Sequence, residues 1–187
     1  MRHPLLCLQA EDQKKAFIIL LSLTIVIMLV MNLIGAPLTT TTAPAGIVSF
    51  ELAFTPSRAE DILSSWNPDS QLRAAFIQGL DFLFPLVYSA ALGLGCILAG
   101  RVLLERRKPL ATWGLILAWA LVVAAACDYL ENIALVTELF GKVISPYPQI
   151  AGICALLKFS VIIIAIIHIL YGLVVRLTTR PVAGNAT

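Results

Sequence analysis

"LILAWALVVAAACDYLENIALV", residues 115 to 136, opens with twelve uncharged residues and then places Asp128, Glu131 and Asn132 close together. In a helix these three fall at i, i+3 and i+4 and share one face. A charge-free run from Leu115 to Ala126 suits hydrocarbon. Two acids and an amide at its end need polar partners from elsewhere in the chain.

Composition agrees with a lipid setting. Of 187 residues, 59% are hydrophobic and 13% charged, and the mean hydropathy is +0.92. Soluble domains keep roughly a quarter of their residues charged. This chain lacks the polar residues to cover itself with a wetted surface. A net charge of +2 is too small to indicate nucleic acid.

Three further apolar segments accompany the first. They span about Ala16 to Pro37, Leu72 to Arg101 and Ile150 to Val175, with the opening segment extending from Leu110 to Phe140. Each exceeds the roughly 20 apolar residues that a spanning helix needs. In hydrocarbon the backbone must satisfy its own hydrogen bonds, which makes helices the expected form. The fold class predicted is all-α: a four-helix transmembrane bundle forming one integral membrane domain over residues 1–187. The Ala16–Pro37 run is longer than the roughly 7–15 apolar residues of a signal peptide, and Pro44 would sit inside an "APA" cleavage site. It is expected to be a retained helix.

Orientation follows from the flanks. Arg2, Lys14, Lys15, Arg101, Arg106, Arg107, Lys108, Arg176 and Arg180 fall on one side, and only Arg58, Arg73 and Lys142 on the other. By the positive-inside rule both termini should be cytoplasmic in a cell membrane. The loop from Leu38 to Gln71 then faces outward. Within it, "IVSFELAF" alternates apolar and other residues and reads as extended backbone. "TPSRAEDILSSW" offers Thr55 as a cap and Pro56 at the first helical position, predicting a short amphipathic helix to about Trp66. Asp69 or Ser70 is expected to cap the next helix.

Depth brings the polar residues together. Asp81 and Lys158 each lie about eight residues, or about 12 Å at about 1.5 Å per residue, into their helices from the outer end. Asp128, Glu131 and Asn132 reach a similar depth, and Glu51 can descend from the loop. Charges in a bilayer are costly and usually pair inside a bundle. Gln78, Asp81, Pro85 and Tyr88 lie along one drifting helix face. Pro85 has no N–H, so the carbonyl of Asp81 should lose its helical partner and the helix should kink there. Ala91, Gly95 and Ala99 form a small-residue stripe that permits close helix contact. The candidate ligand-binding cluster is Glu51, Gln78, Asp81, Tyr88, Asp128, Glu131, Asn132 and Lys158. Pairing of Lys158 with the acids would equally serve only to lock the bundle; Asp128→Leu with Lys158→Met should fold on either reading, and lose ligand or activity only if the cluster is functional.

Absences narrow the function. HExxH, GxGxxG, Walker and GxSxG motifs do not occur, and the histidines are His3 and His168 alone. Cys7, Cys96, Cys127 and Cys154 have no metal-ligand spacing. No metal and no cofactor is expected. "FELAFTPSRAEDILSSW", "GLDFLFPLVYSAALG" and "CDYLENIAL" together resemble a pattern in small, uncharacterised four-helix bacterial integral membrane proteins. The resemblance spans about residues 47 to 135 and implies the architecture without an activity. Three classes remain: a protein binding a lipid, small amphiphile or partner helix (a membrane protein or second copy) in an outward-facing pocket; a membrane enzyme using Asp81, Asp128 or Glu131 as acid or base; and a proton- or cation-coupled carrier. The first is preferred and the enzyme ranks second; the carrier ranks third, because the inner half offers only His168 and Tyr171 to continue a polar path.

Overall fold

A computed structural model describes residues 3 to 179 of the chain. Arg2 and Arg180, both counted among the basic flanks, lie outside the described residues. Within them there are seven α-helices and no strand. These are α1 (Ala10–Gly35), α2 (Ile47–Glu51), α3 (Pro56–Ser65), α4 (Pro68–Asp81), α5 (Phe84–Glu105), α6 (Trp113–Leu139) and α7 (Tyr147–Thr178). Helices at Glu11–Leu38, Phe84–Glu105, Trp113–Leu139 and Tyr147–Thr178 are long and apolar enough to cross a membrane. The chain is thus compatible with a membrane protein of four spans.

The four long helices are not equivalent. α5 packs against α1, α6 and α7, while α6 and α7 pack closely on each other. α1 touches chiefly α5 and α4 and leaves most of its surface uncovered. Close approach depends on small residues. A Cβ on Gly172 of α7 would stand 2.6 Å from the Cβ of Ala99 on α5, and one on Gly100 would stand 2.7 Å from the carbonyl oxygen of Ala111. Both distances are far inside van der Waals contact, so these helices cross where side chains are absent or minimal.

Residues 38–71 fold into a cap over one end of the bundle. Leu38, Phe50, Ile62 and Trp66 are buried there with Ala74, Ile77 and Leu135. The Trp66 indole N–H donates to the Leu38 carbonyl at 2.8 Å. α3 begins as Thr55 and Pro56 dictate: the Thr55 hydroxyl accepts from the Arg58 N–H at 3.3 Å. Its Ala59 and Ile62 face inward while Glu60 and Asp61 stay in the open.

Three expectations are corrected. Residues 47–51 are helical, not extended. Positive-φ positions at Gly46 (60°) and Phe54 (58°) bracket the segment and turn the chain sharply at both ends. The one-turn helix between them buries the adjacent side chains of Phe50 and Glu51, which a half-buried strand would send to opposite faces. The cap of α4 is Asn67, whose side-chain oxygen accepts from the Ser70 N–H at 2.8 Å, so neither Asp69 nor Ser70 takes that role. Pro68 fills the first position, the same Xaa-Pro logic as Thr55-Pro56. The expected helix 72–101 is two helices, α4 and α5, with a break at Phe82 and Leu83.

Candidate functional site

The break at Phe82–Leu83 organises the site. Pro85 cannot donate to the Asp81 carbonyl, and the side-chain amide of Asn132 on α6 does so instead, at 3.1 Å. The Asn132 oxygen in turn accepts from the Gln78 amide at 3.0 Å. Gln78 and Asn132 therefore hold the ruptured helix end and act as supports. Both are fully buried.

Lys158 of α7 lies at the centre of the charged groups. Its Nζ donates to Asp128 Oδ1 and to Glu131 Oε1, both at 2.9 Å. Glu51 Oε2 stands 3.9 Å from the same nitrogen, too far for a hydrogen bond. Asp128, Glu131 and Lys158 are each at least nine-tenths buried. Their spacing explains the convergence: α6 presents Asp128 and Glu131 one turn apart, and α7 runs antiparallel beside it. Removal from water raises the Glu51 carboxyl above its ordinary range, with the Lys158 ammonium acting against this and the Asp128 carboxylate adding to it.

A cavity of about 340 Å³ adjoins the cluster. Its polar lining comes from Glu51, Asp81, Tyr88, Asp128 and Lys158. Its apolar lining includes Met28 and Met31 of α1, Phe84 of α5, and Phe159 and Ile162 of α7. Asn32 of α1 also reaches it, while its amide donates to the Met28 carbonyl at 3.0 Å. α1 and α7 share almost no contact, and Met28 and Asn32 are exposed, so the cavity opens sideways between these two helices.

All eight residues singled out from the sequence thus lie in one region, divided by role. Glu51, Asp81, Tyr88, Asp128 and Lys158 line the space, whereas Glu131, Gln78 and Asn132 stand behind it. Two buried polar atoms of the lining, Glu51 Oε2 and Tyr88 Oη, have no hydrogen-bond partner among the described residues. Neither does Glu131 Oε2 in the second rank.

Sequence reasoning missed Glu138, which is 1% exposed with both carboxyl oxygens unpartnered among the described residues. It follows Glu131 by seven residues, two turns along the same face, so the signal was there. It does not line the cavity. The α1 wall of Met28, Met31 and Asn32 was also missed, because a helix apolar on nearly every side gives little clue to which side faces a neighbour.

Comparison with protein-family models, curated proteins and solved structures finds no match to this chain.

Proposed function

We propose that this is a multi-pass membrane protein that binds a lipid or small amphiphile in the cavity between α1, α2, α4, α5, α6 and α7. One observation carries the reading: a buried polar floor with unpartnered atoms meets an apolar wall that is open along the bundle's side. Water alone would suit the floor, and a bare hydrocarbon chain would suit the wall. A molecule with a polar head and an apolar tail suits both, and the volume lies at the lower end of ordinary ligand pockets, about 300–1,000 Å³. The capped end carrying residues 38–71 is the outward one, with both termini cytoplasmic, on the strength of the basic flanks.

The test is extraction of wild type and Asp81→Asn directly into lipid nanodiscs, with mass spectrometry of small molecules that co-purify. Wild type is expected to enrich a compound that Asp81→Asn loses while melting within a few degrees of it. Identical bound material in two equally stable proteins would refute the reading.

A further inference from the structure

The cavity holds more carboxyl groups than cations. Glu51, Asp81, Asp128 and Glu131 surround a single cation, Lys158. Lys158 already spends its two short bonds on Asp128 and Glu131, the pair deepest in the cluster. That leaves Glu51 and Asp81 on the cavity side without a cation at hydrogen-bond distance. Glu51 Oε2 is buried, faces the space and accepts from nothing among the described residues. Tyr88 Oη, of the same lining, is equally unpartnered among the described residues. A buried carboxyl oxygen without a donor is a costly arrangement unless a donor arrives. The group that satisfies it and also offsets the excess of carboxyls is one that is both positively charged and rich in N–H bonds. A headgroup that presents only a phosphate or carboxylate would meet the acids with like charge. A hydroxyl would supply a donor and leave the charge unchanged.

Resting on the amphiphile reading above, we propose that the cavity takes the primary ammonium head of an amphiphile, seated between Glu51, Asp81 and Tyr88, with its apolar part leaving between α1 and α7 past Met28, Phe159 and Ile162.

The protein in phosphatidylcholine nanodiscs tests this by titration calorimetry, with empty discs subtracted. The probes share one chain and differ in headgroup: dodecylamine, dodecyltrimethylammonium, dodecanol and dodecanoate. Dodecylamine is expected to bind at least about tenfold more tightly than dodecanol, roughly the difference one charge-assisted hydrogen bond makes. Dodecyltrimethylammonium, which has the charge and no N–H, should fall between them, and dodecanoate should bind weakest. Glu51→Gln and Asp81→Asn, which keep the side-chain shapes, should each erase most of the amine preference. Repeating the amine titration in discs containing phosphatidylethanolamine separates two sources of the same head. Competition by that lipid assigns the ammonium to a membrane lipid, and unchanged affinity assigns it to a free amine; both support the chemistry. Equal affinity for amine and alcohol would overturn the inference and leave the amphiphile reading standing. Failure of every probe to bind would overturn both.

Discussion

Lys158 is the residue on which the charged region turns. It makes two 2.9 Å bonds to carboxylates and stands 3.9 Å from a third. This geometry changes what a compensated swap must contain. Asp128→Leu with Lys158→Met, reasonable from the sequence, would strand Glu131, which is fully buried. Breaking a buried ion pair by removing one partner costs about 3–5 kcal/mol, whereas replacing all partners by apolar residues is often neutral or better. Lys158→Met alone should therefore lower stability by about that amount. Asp128→Leu, Glu131→Met and Lys158→Met together should recover most of it. Melting temperatures in detergent for the single, double and triple variants check this. A double variant as stable as the triple would show that Glu131 does not depend on Lys158. The convergence of these residues was legible because charges are so scarce in the apolar runs that few partners exist for each. Its internal ranks were not, since depth along a helix says nothing of which atom of a carboxyl is used.

Among the elements, the α4–α5 break is the most readable feature. A proline four residues after Asp81 removes one N–H, and the structure shows where the orphaned carbonyl turns. Asn132 is then a repair for a backbone defect, a role that a position on α6 could not reveal. Asn132→Ala should cost about 1–3 kcal/mol, the usual penalty for leaving a buried acceptor unpaired. Pro85→Ala restores a donor at the right place in the helix. Combined with Asn132→Ala it should recover part of the loss, with Pro85→Ala alone close to neutral. A double-mutant cycle on thermal stability measures the coupling. Strict additivity would mean that the amide and the missing N–H do not serve the same carbonyl. α2 shows the opposite case. Five residues are too few for a helical period to stand out from alternation, and what sets the segment is the pair of positive-φ turns at Gly46 and Phe54. The Phe54 ring then lies over Gly152 of α7, where a Cβ would stand 2.5 Å from it. That contact couples residues almost a hundred positions apart, and no local pattern announces it.

At the scale of the molecule, four long apolar runs were plain from composition, and their packing order was not. A four-helix bundle read from sequence suggests four similar members. The structure instead gathers α5, α6 and α7 and sets α1 against α5 with most of its face free. The cavity exists because of that asymmetry, since its side opening is the space between α1 and α7. Orientation is a whole-molecule property too. Reporter fusions at the C-terminus and within residues 38–71 should report cytoplasmic and external positions respectively. A C-terminal reporter active only outside the cytoplasm would reverse the topology and turn the cavity to the other leaflet.

On the membrane-spanning reading proposed above, the division of the ion cluster between α6 and α7 also imposes an order on biosynthesis. Asp128 and Glu131 leave the ribosome before Lys158 does. An acid near the middle of a lone spanning helix costs about 2.5–3.5 kcal/mol during insertion. These two lie toward the late end of α6, so that end can wait at the headgroup level while the short connection from Phe140 to Pro146 and the first turns of α7 are made. Lys158 then arrives as the counter-charge, and α6 and α7 can enter the lipid as a paired hairpin, each neutralising what the other could not carry in alone. α1 has no such dependence. With no charge between Ala16 and Leu38 it can insert first and stay unpartnered until α4 and α5 are synthesised.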